Sequence, residues 1–348
     1  MEDFKYVKIN VASRVPKYKQ IADSIISGIN KGDLQMGDQI PSINALSERY
    51  DLSRDTVDKA YRLLKEQNVI VSVRGKGFYI SKTNLSIKVD VLFLINKLST
   101  YKMRIYNAFV HALGANANVD LHIYHCEPSV FVNIIKKKQN QYNYYVIMPH
   151  FRNESLQHMG CTEEILKTIR MLPDDRLIIM DRNLESFSKD VGRVYQDFTG
   201  DIYNALTTGI EKIKKYQKII LVYPHKAVYP YPQGIITGFK RFCARNKFDF
   251  EILDTIYDGM ELQLKDLYVI ISEEDLVNLV QQTRDRHYKL GEDIGIISYN
   301  DTPLKALLGI TVISTDFKKM GTKAAKMILD NKRANIKNDF NFIDRNSI

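Results

Sequence analysis

An α/β chain of two unlike parts is predicted, a small helical unit with a β-hairpin followed by a larger doubly wound α/β unit. Three observations carry this. Two short helices with start signals lie between Ser42 and Leu64, a glycine-turned hairpin follows over 69–80, and from Val89 onward apolar runs alternate with helical stretches. At 348 residues the chain is long enough for two domains, each with its own core. The expected boundaries are 1–80 for the first, 88–348 for the second, and a polar linker, Ser81 to Ile87, between them.

Pro41-Ser42-Ile43 opens the first of the two helices, which runs to Tyr50, and Asp51-Leu52 makes a turn. Ser53 can accept a hydrogen bond from the free N–H groups of the next helix. Leu52 and Val57 are spaced as a hydrophobic staple. Val57, Ala60 and Leu64 form an apolar stripe, while Arg54, Asp55, Asp58, Lys59 and Arg62 stay polar. Two short helices, the second basic at its N-terminus, have the layout of a helix-turn-helix reader. V-I-V-S-V, R-G-K-G and F-Y-I then supply two β-rich arms and a tight turn. The sum is a winged helix, and double-stranded DNA is its expected partner. Taken singly, Arg54 and Lys59 fit a solvated helix face equally well, and Gly75 and Gly77 fit plain hairpin chemistry. The ordered constellation favours the DNA reading.

In the second part, 89–95, 119–124, 144–148, 177–181, 218–223, 267–271 and 294–299 read as buried parallel strands. Helical crossovers are expected at 102–116, 163–171, 201–214 and 234–246. Ligands in such folds sit where strand C-termini open into a crevice. Strand ends nominate Tyr101 and Arg104 after the first strand, His150 after the third, and Arg182 after the fourth. Asp197 in V-Y-Q-D-F joins them, with Tyr229 and Tyr231 in a proline-rich loop, where an aromatic face suits a sugar's C–H face. The plain alternatives are packing for the tyrosines and a structural ion pair for Arg182 beside an aspartate. Asp316 is expected to cap the helix that follows it or to brace a crossover.

Net charge is +9, which suits a polyanionic partner only loosely. Cys126, Cys161 and Cys243 are far apart and read as reduced thiols in a cytoplasmic protein. The N-terminus lacks the apolar core of a signal peptide, and no apolar run reaches membrane-spanning length, so no membrane partner is expected. The seven histidines are scattered. His122 and His125, read on one strand, would face opposite sides, so no metal is expected. No G-x-S-x-G, P-loop or nicotinamide fingerprint occurs, and neither an enzyme nor a cofactor is expected.

Further motifs carry a family resemblance. P-x-Y-x-Q-I (16–21), G-D-L (32–34), G-D-Q-I-P-S (37–42), L-S-R-D-T-V (52–57) and G-K-G-F-Y-I (75–80) occur in order. Over 10–80 the chain resembles the DNA-binding domain of GntR-type transcriptional regulators. The resemblance implies that Arg54 and Thr56 contact DNA from the recognition helix, with Ser53 and Lys59 beside them. It implies that Ser42 holds a phosphate at the preceding helix N-terminus, and that Arg74, Lys76 and Gly77 form the wing tip. Where the family usually has two arginines, this chain has Asn44 and Asp58. Asn44 can read a base edge, whereas Asp58 repels phosphates unless it accepts from a cytosine amino group. Some GntR-type regulators carry an aminotransferase-like domain that binds pyridoxal phosphate, but the C-terminal part here is too short and lacks the lysine motif.

From 88 to 348 the chain resembles the effector domain of LacI-type regulators and periplasmic sugar-binding proteins. L-I-I-M-D-R (177–182), V-Y-Q-D-F-T-G (194–200), T-G-F (237–239), D-I-G-I-I-S-Y-N-D (293–301), I-S-T-D-F-K-K-M-G-T-K-A-A (313–325) and R-N-S (345–347) carry it. The resemblance implies two lobes that close on a small molecule. It places Asp301 where the family's carboxylate accepts sugar hydroxyls, and Ser272 or Glu273 at the cleft. The family's arginine before the G-F pair is replaced by Ile235. The expected function is a homodimeric repressor of a carbohydrate-utilisation operon, released by a monosaccharide, arabinose- or fucose-like. A ligand-indifferent architectural DNA-binding protein, or a pyridoxal-phosphate-dependent enzyme-like regulator, is the alternative.

Overall fold

The computed structural model describes residues 4, 6–10, 13, 15–81, 88–225 and 227–348. The chain divides into compact units, 1–89 and 90–348. Of the expected linker, all but Ser81 lies outside the described residues.

The first unit comprises α1 (Lys17–Lys31), β1 (Gln39–Ile40), α2 (Ile43–Arg49), α3 (Arg54–Glu66), β2 (Ile70–Val73) and β3 (Gly77–Ile80). α1 stops where Gly32 turns left-handed at φ 80°, a conformation that costs a residue without Cβ little. Ser42 caps α2 by accepting from the Ala45 N–H (3.1 Å), and Ser53 caps α3 by accepting from Thr56 (3.2 Å). Each cap satisfies an orphan donor, worth about 1 kcal/mol. The strands form an antiparallel sheet in the order β1-β3-β2. Ile21, Ile25, Leu46, Val57, Leu64 and Ile80 fill the core. The buried stripe of α3 also takes in Tyr61, whose hydroxyl donates to the Pro41 carbonyl (2.6 Å). That bond lets a phenol lie fully buried.

The second unit opens with β4 (Val89–Ile95), α4 (Thr100–Leu113), β5 (Ala117–Ile123), α5 (Pro128–Lys138) and β6 (Tyr144–Ile147). A small hairpin, β7 (Phe151–Arg152) and β8 (His158–Met159), precedes α6 (Glu163–Ile169), β9 (Leu177–Arg182) and β10 (Gly192–Gln196). Next come α7 (Phe198–Thr208), α8 (Ile210–Ile213), β11 (Lys218–Val222), α9 (Gly234–Asn246), β12 (Asp249–Leu253) and β13 (Asp266–Ile270). The chain closes with α10 (Glu273–Asp285), β14 (Ile294–Tyr299), α11 (Pro303–Leu307), β15 (Thr311–Thr315), α12 (Phe317–Leu329), β16 (Asn335–Lys337) and β17 (Phe340–Ile343).

These strands build two six-stranded sheets, one per lobe, ordered β16-β10-β9-β6-β4-β5 and β12-β11-β13-β14-β15-β17. The second is parallel except for the β15–β17 pair. The backbone passes between sheets three times, after β10, after β15 and between β16 and β17. These crossings are bound together. The Asn338 side chain donates to Thr315 Oγ1 (3.0 Å) and the Asp316 carbonyl (2.9 Å), while Lys337 pairs with Asp201 (2.9 Å) and Lys319 with Asp339 (2.9 Å). Asp316 caps α12 by accepting from the Lys319 N–H.

Several details depart from the sequence reading. β10 and β15 were not read as strands, because buried polar residues interrupt their apolar pattern. Arg193 is buried with Nη1 donating to the Leu184 carbonyl (2.9 Å), and Thr311 and Ser314 are tied into hydrogen bonds. β5 is not buried along its length but alternates as a half-covered edge strand. The helix expected over 201–214 breaks at Gly209, where any Cβ would strike the Phe342 ring. His125 lies beyond β5 in a left-handed turn (φ 53°), not on the strand with His122.

Candidate functional site

Two sets of residues have the chemistry of a site, one in each unit. In the first unit Arg54 stands exposed at the N-terminal turn of α3, beside Ser53. Thr56 Oγ1 lies 2.7 Å from Ser53 Oγ, so the two hydroxyls share a proton at the helix start. Lys59, one turn on, is exposed and lies over the Tyr18 ring at 4.5 Å. Asn44 and Ser42 are exposed on α2, and the Ser42 hydroxyl is occupied by its cap bond. Asp58, the residue that would repel phosphate, pairs with Arg62 at 2.5 Å. Arg74 and Lys76 are exposed at the hairpin tip, where Gly75 and Gly77 adopt φ 73° and 102°. Gln39 Nε2 and the Tyr79 hydroxyl both donate to the Lys76 carbonyl (2.8 and 3.1 Å), which holds the tip in shape. The result is a basic helix start and a basic, braced wing.

In the second unit a cavity of about 370 Å³ opens between the lobes at the strand C-termini. Asp181, the penultimate residue of β9, is its electrostatic centre. The buried carboxylate accepts from Lys102 Nζ, His150 Nε2 (3.0 Å) and Gln196 Nε2. Burial opposes its ionisation, but the Lys102 charge and the His150 hydrogen bond win and hold it well below the usual carboxylate range. His150 is pushed below the usual imidazole value by burial, against the pull of Asp181. With Nε2 donating to Asp181, the neutral ring presents Nδ1 to His158 Nε2 at 3.2 Å. Burial, together with His150 and Arg182, lowers His158 to about 3. Asp181 and Asn300, on facing sides of the cavity, are both left-handed (φ 72° and 66°), backbone strain of the kind found at ligand sites.

Aromatic walls complete the cavity. Tyr101 stacks on Phe317 at 5.3 Å, and Phe198, Tyr231 and Tyr299 contribute further faces. Two buried polar atoms on the wall, Asn96 Oδ1 and the Tyr299 hydroxyl, have no hydrogen-bond partner among the described residues. Left dry, each costs about 1–3 kcal/mol, so both suit a polar ligand.

Contacts cross the cleft. The Tyr101 hydroxyl donates to Glu273 (3.2 Å) and accepts from Lys305 Nζ (3.3 Å). Arg104 donates to the Asp301 carbonyl oxygen (2.6 Å), and the Tyr229 hydroxyl meets His125 Nδ1 (3.1 Å). Lys305 is fully buried, donates to the Tyr299 and Asn300 carbonyls (3.0 Å each), and is lowered by burial to about 8.

Of the residues nominated from sequence, Tyr101, His150, Tyr231 and Glu273 line this cavity. Arg182 and Asp197 line an adjoining one of about 640 Å³, where Arg182 Nη1 has no partner among the described residues. Arg104, Tyr229 and Asp301 are not on either wall. The Asp301 carboxylate is paired with Arg345 (2.9 Å), and its neighbour Asn300 faces the cavity instead. Sequence reasoning did not single out Asn96, Lys97, Lys102, Asp181 or Gln196. Asn96 and Lys97 directly follow the first strand, a signal that was available. Lys102 and Gln196 gain meaning only from the tertiary fold. Among the described residues, no group of three or more His, Cys, Asp or Glu could hold a metal ion, and no helix is long and apolar enough to cross a membrane.

Comparison with known proteins agrees with this division. Residues 17–80 match the family model of bacterial regulatory proteins of the gntR family, and 213–340 match that of a periplasmic binding protein-like domain. The mannosyl-D-glycerate transport/metabolism system repressor MngR of Escherichia coli (strain K12) is 39% identical over 71 residues, 20% of this chain and 30% of that protein. The HTH-type transcriptional regulator Rv1152 of Mycobacterium tuberculosis (strain ATCC 25618 / H37Rv) is 31% identical over 83 residues, 24% of this chain and 68% of that protein. A LacI-family transcriptional regulator from Enterococcus faecium, solved with bound ribose, superposes with a TM-score of 0.55 at 17% identity. It covers 74% of this chain and 98% of its own, and shows the two-lobed fold of the second unit. The first relatives matched are covered over less than two thirds of their length, 30% for MngR. The chain belongs to the GntR family of bacterial regulatory proteins, with a periplasmic-binding-protein-like effector domain as its second unit.

Proposed function

We propose that this protein is a DNA-binding transcriptional repressor of a carbohydrate-utilisation operon, acting in the cytoplasm as a homodimer and released by a monosaccharide. The observation that carries the reading is one chain holding both a winged helix with exposed Arg54, Arg74 and Lys76 and an aromatic-walled cavity with unsatisfied buried polar atoms. MngR is named a repressor, and the Enterococcus regulator was solved with ribose. Both support the reading. Winged helices of this layout bind inverted half-sites, so a two-fold dimer would match a palindromic operator. Arg54 and Thr56 are assigned to the major groove, with Ser53 and Lys59 flanking. Ser42 and Asn44 are assigned to the approach of α2, and Arg74, Lys76 and Gly77 to the wing contact.

Ligand binding can change DNA affinity only if the sugar prefers one state of the lobes. The three crossing segments, tied by Asn338 and Lys337, are where that preference would be registered. The test is to select bound sequences from a random DNA pool and then titrate the winner with and without each sugar of a monosaccharide panel. A palindromic site whose affinity falls with one sugar is expected. Binding that ignores sequence and all small molecules would establish the architectural alternative.

A further inference from the structure

The carboxylates near the interlobe cavity are already occupied. Asp181 accepts from three side chains, Glu273 from the Tyr101 hydroxyl, and Asp301 from Arg345. Asp181 and Asp301 are thus committed to cationic partners, and Glu273, engaged through Oε1 alone, keeps Oε2 for a ligand hydroxyl. The cations are placed differently. Lys102 is matched by Asp181, and Lys305 is held by backbone carbonyls with Glu273 at 4.0 Å. Lys97 forms no ion pair with a carboxylate among the described residues, though Asp181 is near enough to act on its charge. Its ammonium lies over the rings of Tyr231 (5.1 Å) and Tyr229 (5.4 Å) on the cavity wall.

Three features of the cavity favour an anion, the first of them next to Lys97. α4 begins there, with Ser99, Thr100 and Tyr101 on the wall and no acidic residue in its first turn. Its dipole and free N–H groups favour negative charge. Burial and Lys102 disfavour the Lys97 cation more than Cys126 and Asp181 favour it, and an incoming anion would offset that imbalance. The Tyr299 hydroxyl, 4% exposed and unpartnered among the described residues, faces the same space and can donate as well as accept.

We propose that the ligand of this cavity is an acidic monosaccharide whose carboxylate or phosphate sits beside Lys97 at the start of α4. This rests on the reading of the domain as a carbohydrate sensor and replaces the neutral arabinose- or fucose-like ligand by an acid. The stacked Tyr101–Phe317 pair and Tyr231 would hold the sugar ring, and Asn96 Oδ1 would accept from a hydroxyl.

Calorimetry and thermal shift on the full chain would use galacturonate, glucuronate, gluconate and glucose 6-phosphate against galactose, glucose, arabinose and fucose. At least one acid is expected to bind at least tenfold more tightly than its neutral parent, and its identity separates a carboxylate from a phosphate. Lys97→Met should weaken that acid at least tenfold, while Lys97→Arg retains it within a few-fold. An unchanged circular dichroism spectrum and ligand-free melting temperature for both variants shows that they are folded. A neutral sugar that binds as well as its acid, or an acid that binds Lys97→Met with parental affinity, overturns the proposal and leaves the sensor reading standing. If no carbohydrate of either class binds, the sensor reading fails with it.

Discussion

Replacing Asp181 by asparagine tests whether the second unit is organised around one buried charge. The substitution keeps the side chain's shape and removes its charge. Lys102 is only 8% exposed and would then face a neutral amide, one end of which is itself a donor. Gln196 and His150 would compete for the single remaining acceptor oxygen. Removing one partner of a buried pair costs about 3–5 kcal/mol, because the other charge is left without compensation. In urea that would lower the unfolding midpoint by roughly 1–2 M for a slope of about 2–3 kcal/mol/M. The chain has no tryptophan, so far-UV circular dichroism or tyrosine fluorescence is the signal. Lys102→Met alone should also destabilise. The double variant should recover about 1–3 kcal/mol relative to the sum of the singles.

The pH dependence has a definite sign. Asp181 is held below its unfolded value, so its stabilisation is complete above about pH 4 and fades as pH falls below it. The gap between parent and variant should therefore be full at pH 7 and shrink on acidification. A single variant within about 0.5 kcal/mol of the parent, a range ordinary for surface changes, would refute the central role given to this carboxylate.

His158, lowered to about 3, makes the unfolded chain bind the extra proton between that value and about 6.5. Parental stability should rise with pH across this window, and His158→Gln should flatten the rise in a series of buffered melts. Arg54→Ala should lose about 1–3 kcal/mol of operator affinity without altering the melting temperature, read by gel shift. Lys76→Glu should change the slope of log affinity against log salt by at least about one unit and leave sequence preference intact. Gly238→Ala should cost about 1–3 kcal/mol in urea, since a Cβ on α9 would fall on the Thr199 carbonyl and Ile202 of α7.

The winged helix was legible because its signals are local. Ser42, Ser53, the Leu52–Val57 pair and the two hairpin glycines each act within a few residues of themselves. The second unit was legible in class, since continuous apolar runs such as 89–95 and 294–299 announce strands buried on both faces. It was less legible in detail. β10 and β15 hide buried polar residues whose partners lie outside the strand, in β15 remote in sequence, as with Thr311 and the Arg345 N–H. β12 is an edge strand, half-covered, and its D-F-E-I-L pattern resembles many exposed segments.

For the cleft, strand-end position located the neighbourhood, with Tyr101 and His150 on its wall, and the family resemblance added Glu273. It could not say which groups were free. A carboxylate serves a ligand only if the protein has not already supplied its donors, and those donors come from distant segments. Lys102, His150 and Gln196 converge on Asp181 from a helix, the loop after β6 and the end of β10, and Arg345 reaches Asp301 from the closing residues of the chain. The same R-N-S segment binds β14 and β15 together, with Ser347 donating to the Ile296 carbonyl and accepting from Thr311. The R-N-S motif thus occupies the very aspartate that the family resemblance nominates for sugar. Asp301 is accordingly tied to the packing of the second lobe, and the unpaired charge at Lys97 is left as the feature of the wall that a ligand has most to gain from meeting.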